Sequence, residues 1–79
     1  MDVQIALTKA EVGALDRSVK YNIGATQRGL GNVRRRITAA VDYGREPDPV
    51  EVENEAFLTA ELETLRALQT RLRALDVDG

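Results

Sequence analysis

The sequence predicts an all-α protein, an antiparallel helical hairpin made of two long helices. Three observations support this: a proline-containing break at residues 44–48, helix-start signals before and after it, and apolar residues that recur with helical period on both sides. With 79 residues the chain is the size of one domain. We therefore expect a single helical domain over residues 1–79, with helix one at 9–43 and helix two at 49–76.

The start of helix two carries the clearest local signal in the chain. Asp48 is a favourable N-cap residue, and Pro49 suits the first helical position. Glu51 stands three residues after the cap, where the acid of a capping box belongs. Pro47 disfavours helical backbone at the residue before it, so helix one must end earlier. Residues 44–48 are therefore predicted to form the turn of the hairpin.

An apolar stripe along helix two predicts its packing surface. On a helical wheel its leucines, Val50 and Phe57 lie within an arc of about 140°. The polar residues Asn54 and Glu61 lie in the same arc, and we expect each to extend its polar end to solvent or to pair with an arginine of helix one, the nearest candidate partner. The alternative is that they fix helix register or meet another protein. The predicted helix-packing interface comprises Phe57, Leu58, Leu62, Leu65, Leu68, Leu72, Leu75, Glu61 and Asn54.

Helix one is predicted to begin at Lys9. Thr8 and Glu11 have the spacing of a capping box, in which each side chain accepts a hydrogen bond from the other residue's backbone N–H. Before this pattern, apolar and polar residues alternate, which is typical of a short strand. Residues 1–8 are therefore expected to be extended.

Three glycines leave the middle of helix one open to two interpretations. Gly24, Gly29 and Gly31 each cost a helix about 0.5–1 kcal/mol, and a break within residues 24–31 would give three helices. However, the apolar residues on both sides share one face of a single wheel, within about 80°. Because a loop would have no reason to preserve that phase, we favour one continuous or kinked helix. The residues in phase are Val12, Leu15, Val19, Ile23, Leu30, Val33, Ile37 and Val41.

Composition argues against several kinds of chemistry. The chain has no Cys and no His, so it lacks disulfides, thiolate ligands and the commonest acid–base side chain. No serine, lysine or acidic residue stands in a recognisable catalytic pattern. We therefore expect no enzymatic activity, no metal site and no cofactor. No apolar run approaches the roughly 20 residues that span a bilayer, and no signal-peptide pattern opens the chain, so a cytoplasmic location is expected.

Charge is distributed unevenly along the chain. Residues 1–45 hold eight basic and four acidic side chains, whereas residues 46–79 hold three basic and nine acidic ones. Such asymmetry is typical either of a nucleic-acid surface or of two halves that neutralise each other on folding. A hairpin places the Arg34–Arg36 segment beside residues 53–58, which favours the second explanation.

Glycine and basic residues in helix one form the candidate contact site. On a continuous helix most of them lie away from the apolar stripe, where glycine allows close approach and arginine binds carboxylates or phosphates. One interpretation is a contact face for a partner protein or a phosphate ligand; the other is a solvated basic face. The candidate residues are Arg28, Arg34, Arg35, Arg36, Arg17, Lys20, Gly24 and Gly31.

Residues 2–43 combine a short strand pattern with two helical segments, the second rich in arginine. The three segments are Val3-Gln4-Ile5-Ala6-Leu7, Glu11-Val12-x-x-Leu15-Asp16 and Asn32-Val33-Arg34-Arg35-Arg36-Ile37. In this order they resemble the ribbon-helix-helix repressors and antitoxins.

That resemblance implies a DNA-binding dimer in which the strand residues Asp2, Gln4 and Ala6 face the major groove. Only Gln4 is suited to reading bases, because Asp2 would repel phosphate. The segment between the two helices is also longer than the short turn of that family. On this interpretation helix two would correspond to the partner-binding tail of such antitoxins.

The sequence favours binding over catalysis. A two-helix hairpin has one contact seam and a small core, so we expect it to dimerise into a four-helix bundle of coiled-coil type, or to dock on a larger partner. The expected function is that of a regulator, inhibitor or adaptor that binds a partner protein, of the type that phages and mobile elements encode. Two alternatives stay open: a ribbon-helix-helix-like DNA binder, and an oligomer that binds a nucleotide or other phosphate ligand through Arg28 and Arg34–Arg36.

Overall fold

The computed structural model describes residues 6–75 and confirms the all-α helical hairpin. Helix α1 spans Lys9–Asp42, helix α2 spans Pro49–Ala74, and the two pack against each other in antiparallel orientation. No strand occurs among the described residues. The extended segment expected at residues 1–8 lies mostly outside them, and α2 ends two residues before the expected position.

A capping box closes the N-terminus of α1. The Thr8 Oγ1 accepts a hydrogen bond from the Glu11 backbone N–H at 3.1 Å, and a Glu11 carboxylate oxygen accepts one from the Thr8 backbone N–H at 2.9 Å. The bond from the Thr8 backbone, helped by the Thr8 side chain, lowers the pKa of Glu11 because it stabilises the ionised carboxylate. The negative charge also lies in the first turn, where the helix dipole favours it.

Protonation of Glu11 should loosen the start of α1. Its pKa is lower in the folded than in the unfolded chain, so the stabilisation is complete above the unfolded-state pKa. It is lost as the pH falls through the lowered value. We expect the Thr8 amide resonance to titrate in an NMR series from neutral pH to about pH 2. Glu11→Gln keeps the capping pattern without an ionisable group, so an equal titration in that variant would contradict the prediction.

Helix α1 is continuous through its glycine segment. Gly24, Gly29 and Gly31 all have helical backbone, and Gly44 is the only described glycine with a positive φ, at 70°. The three-helix alternative is therefore wrong, and the preserved apolar phase was the better guide. Packing of α1 against α2 compensates for the low helix propensity of these glycines.

A Schellman motif ends α1 just before the turn. The Arg45 N–H donates to the Ala40 carbonyl oxygen at 2.8 Å, and the Gly44 N–H donates to the Val41 carbonyl oxygen at 3.0 Å. Gly44 takes the left-handed conformation that this motif requires and that a side chain disfavours. The backbone then reverses direction before Asp48.

Helix α2 begins as predicted, but one of its acids has a different role. The Asp48 carboxylate accepts a hydrogen bond from the Val50 N–H at 2.9 Å, and Pro49 occupies the first turn. Glu51 was expected to complete a capping box. Instead its Oε1 accepts a 2.8 Å hydrogen bond from Nε of Arg36 on the other helix. The carboxylate therefore joins the two helices and does not cap its own.

The two helices meet along a seam whose residues alternate at spacings of three and four. This spacing keeps one narrow face of each helix turned to the other, as in a coiled coil. Every seam residue is buried or half-buried. The seam consists of Val12, Asp16, Val19, Ile23, Thr26, Leu30, Val33, Ile37 and Ala40 on α1, and of Glu51, Glu55, Leu58, Leu62, Leu65, Gln69 and Leu72 on α2.

Ion pairs fix the register of the seam at both ends. Near the turn, the Arg36 Nε lies 2.8 Å from the Glu51 carboxylate and the Arg34 Nε lies 3.8 Å from that of Glu55. At the open end, the Arg73 Nε lies 3.4 Å from the Asp16 carboxylate. Solvent-exposed pairs of this kind add little stability, but a slipped register would leave all three half-buried acids without their partners.

The core between the helices is thin. Its most buried side chains are Val19, Leu30, Val33, Leu62 and Leu72, with exposed fractions of 4–8%. No described side chain is completely enclosed. A single seam therefore supplies nearly all the apolar burial of the hairpin.

Candidate protein-interaction surfaces

The hairpin presents two chemically different surfaces outside the seam. One is a basic row on the outer side of α1, formed by Arg17, Lys20, Arg28 and Arg35, all of them exposed. At 1.5 Å per residue the row is about 27 Å long. The other is an apolar row on the outer side of α2, formed by Val50, Phe57, Leu68 and Leu75.

Each arginine of the basic row follows a glycine by four residues. A side chain on a helix points toward the N-terminus, so it covers the turn before it. The Arg17 guanidinium lies over Gly13, and Nη1 of Arg28 lies 3.4 Å from the position that a Cβ on Gly24 would occupy. The third pair is Gly31 and Arg35. The guanidinium groups of Arg17 and Arg28 therefore cover their glycines, whereas no atom lies within 4 Å of the position of a Cβ on Gly31.

The basic row carries positive charge that the described part of the chain does not neutralise. None of its four side chains lies within ion-pair distance of a described acidic group. In contrast, the arginines beside the seam are paired with acids of the opposite helix. The acidic second half of the chain therefore compensates the seam arginines and leaves the outer row available.

The arginine cluster of the sequence does not form one site. Consecutive helical residues point about 100° apart, so the side chains of Arg34, Arg35 and Arg36 diverge. Arg34 and Arg36 turn to acids of α2, and Arg35 donates a hydrogen bond to Asn32 on its own helix. Arg28 lies back over Gly24. The structure thus offers no convergent phosphate cradle among these residues.

A shallow open depression lies beside Gly31, where the missing side chain exposes the groove between the helices. Both signs of charge line it, so it is not a strong anion site. This depression was not predictable from the sequence, because its walls come from both helices. Its lining residues are Gln27, Leu30, Gly31, Arg34, Thr59, Leu62, Glu63 and Arg66.

The leucine stripe of α2 is divided between two surfaces. Leu58, Leu62, Leu65 and Leu72 face α1 in the seam. The remaining apolar members form the apolar row, which lies about 100° around the helix from the seam. Their exposed fractions are 61% for Val50, 66% for Phe57, 42% for Leu68 and 49% for Leu75.

The polar residues of the stripe lie in the apolar row rather than in the seam. Asn54 and Glu61 are exposed, and neither side chain forms a hydrogen bond or an ion pair within the described chain. The expectation that arginines of helix one partner them is therefore corrected: the seam arginines bind Glu51 and Glu55 instead.

Small and neutral residues of α1 continue the same face of the hairpin beside the apolar row. Leu15 is 43% exposed at one end of this flank, and the Asn22 side chain is bonded to its own helix through the Ser18 carbonyl oxygen. Ala25 and Gly29 follow at helical spacing. We call this flank and the apolar row together the apolar face; the basic row lies on the other side of α1.

The ribbon-helix-helix pattern is not matched by the described residues. That family needs a turn between two helices, whereas α1 is unbroken from Lys9 to Asp42. Of the expected strand residues, Asp2 and Gln4 lie outside the described residues, and Ala6 is exposed.

Residues 6–75 hold no group of acidic side chains suited to a metal ion, and neither helix is apolar enough over a sufficient length to cross a membrane. Comparison of the chain with known protein families, with curated proteins and with solved structures found no match. The two surfaces of the hairpin are therefore the basis for any functional proposal.

Proposed function

We propose that this chain is a non-enzymatic protein-interaction module, a small regulator, inhibitor or adaptor that binds an acidic surface of a partner protein through its basic row. The observation that supports the proposal is that four basic side chains share one outer side of α1 with no described acid within reach: Arg17, Lys20, Arg28 and Arg35. In contrast, Arg34 and Arg36 on the same helix are paired with acids of α2.

The chemistry of the row suits carboxylates on a folded surface. Guanidinium groups bind carboxylates in a bidentate manner, and Gly31 beside Arg35 allows a partner's backbone to approach α1 closely. The row lies along one continuous helix, so it matches an elongated acidic patch or the exposed face of an acidic helix. Exposed charges of this kind contribute mainly to association rate and specificity.

A protein partner fits better than nucleic acid. Domains that bind nucleic acid usually carry a strong net positive charge, whereas this chain has a net charge of −2 and a pI near 5.0.

Affinity purification with a double charge reversal tests the proposal. Tagged wild type and Arg17→Glu/Arg28→Glu are used to capture proteins from an extract of the source organism. We expect the double variant to capture at least about tenfold less of the partner protein than the wild type does, since two attractive contacts become repulsive. The control is Lys9→Glu/Arg45→Glu, which makes the same change in net charge outside the basic row and should retain the captured protein.

Two results would overturn the proposal. One is equal capture by the wild type and the double variant. The other is a salt-dependent mobility shift of duplex DNA that Arg28→Glu abolishes, which would support the DNA-binding alternative instead. Circular dichroism of all variants shows whether the helical content is unchanged.

A further inference from the structure

We propose that the apolar face binds a second copy of this chain, with the two α2 helices antiparallel about a two-fold axis at the midpoint between Leu62 and Glu63. The assembly is a four-helix bundle, and its interface is the apolar row together with the small-residue flank of α1. This inference does not depend on the basic row, which points away from the proposed interface.

The surface area of the chain first leaves room for a large interface. A compact monomer of this mass exposes about 4,700 Å², whereas this chain exposes 6412 Å². Its radius of gyration is 17.2 Å, against about 12 Å for a compact domain of the same length. The excess area is larger than the roughly 800 Å² that each partner buries in a stable interface.

The apolar row is symmetric about its own centre, which identifies the occupant as a second copy. Val50 and Leu75 are equally distant from the midpoint of the row, between Leu62 and Glu63, and so are Phe57 and Leu68. A two-fold axis there places each of these residues against its apolar counterpart in the second copy. An isologous interface requires this self-complementarity, whereas an unrelated partner would not impose it.

The polar residues of the row obey the same symmetry. Asn54 is the counterpart of Arg71, whose guanidinium can donate to the Asn54 amide oxygen of the second copy. Glu61 is the counterpart of the small Thr64, and the two Glu61 carboxylates lie about 4.5 Å apart along the helix axis, where they repel each other. On the flank of the row, Glu53 of one copy faces Arg71 of the other with opposite charge. Of the two residues that interrupt the stripe, Asn54 therefore gains a partner in the dimer, whereas Glu61 opposes it.

The α1 flank allows the bundle to close. The ion pairs between Asp16 and Arg73 and between Arg36 and Glu51 set the register of the hairpin. They place the two-fold axis opposite Ala25. Around that point the flank carries only short side chains, so the two α1 helices can approach each other across the axis.

The oligomeric state of charge variants tests the interface. We expect the wild type to sediment as a dimer at micromolar concentration. Leu68→Asp, which places two carboxylates in the apolar interface, should raise the dissociation constant at least about a hundredfold. The control is Val52→Asp: Val52 is 48% exposed, against 42% for Leu68, but lies on the opposite flank of α2. This variant should remain dimeric.

Disulfide trapping tests the orientation even if Leu68→Asp unfolds the chain. The natural sequence has no cysteine. Phe57→Cys alone and Leu68→Cys alone should not cross-link, because antiparallel copies separate equal positions by about 16 Å along the helix axis. A mixture of the two variants should form a disulfide-linked heterodimer under oxidising conditions.

Three outcomes would overturn the inference. The first is a fully helical wild-type monomer at 100 µM. The second is cross-linking of Phe57→Cys or Leu68→Cys alone, which would indicate parallel helices or non-specific contact. The third is an equal loss of dimer in Leu68→Asp and Val52→Asp.

Discussion

Leu30→Ala is expected to remove a large part of the stability of the protein. Leu30 is 4% exposed at the middle of the seam. Removing a buried leucine side chain in this way costs about 2–5 kcal/mol. At roughly 0.05–0.15 kcal/mol per residue, a chain of this length has about 4–12 kcal/mol in total. Urea unfolding followed by circular dichroism at fixed protein concentration should show this loss as a lower midpoint with an unchanged slope.

Two further substitutions show whether seam packing is the cause. Leu30→Met nearly conserves the volume and should cost less than about 1.5 kcal/mol. Val52→Ala truncates a half-exposed side chain outside the seam and should change the free energy of unfolding by less than about 0.5 kcal/mol. A Leu30→Ala loss no larger than that of Val52→Ala would contradict the seam described above.

Gly24→Ala/Gly31→Ala is expected to stabilise the protein. Both positions are helical, and alanine favours an interior helix position over glycine by about 0.8–1 kcal/mol. A Cβ on Gly31 meets nothing within 4 Å, and one on Gly24 meets only the flexible end of Arg28 at 3.4 Å. We expect the double variant to raise the melting temperature by roughly 10 °C.

The opposite sign is expected at the glycine of the Schellman motif. Gly44 has a φ of 70°, where a Cβ costs about 1–2 kcal/mol, so Gly44→Ala should lower the melting temperature. Opposite changes in melting temperature for the two variants would show that backbone conformation, and not the added methyl groups themselves, determines the effect. Destabilisation by Gly24→Ala/Gly31→Ala, with no change in Gly44→Ala, would contradict the continuous helix α1.

The helices and their ends were predictable because their signals are local. Thr8 with Glu11, and Asp48 with Pro49, lie within a few residues of one another, and the cap geometry depends only on those neighbours. The continuity of α1 was predictable from apolar phase. Glycine propensity alone gave the wrong indication, because packing against α2 outweighs it.

The division of the leucine stripe was not predictable from a wheel of one helix. An arc of about 140° is wider than a coiled-coil seam. Which part of the arc is covered depends on where the partner helix packs. A search for apolar residues alone misses three members of the seam, Asp16, Glu51 and Glu55. Their partners lie on the other helix, in the case of Asp16 57 residues away along the chain.

The candidate site was predictable in part for a similar reason. Arg17, Lys20 and Arg28 share a side of α1 whatever α1 packs against, so helical periodicity places them together. Whether Arg34 and Arg36 form ion pairs depends on which acids of α2 lie opposite them. The sequence alone showed only that acids were nearby. Side-chain pairing across helices thus separates the outer arginines from the structural ones.

The hairpin register also has a kinetic consequence. Pairs across the seam grow in sequence separation from 15 residues for Arg36 and Glu51 to 57 for Asp16 and Arg73. Because the entropy of loop closure increases with loop length, contacts beside Gly44 form first and the open end closes last. In the folded state the open end of the hairpin, where Lys9 lies near Leu75, has the contacts of largest sequence separation. This end is therefore the first to open and the first available to a protease, while the turn stays closed.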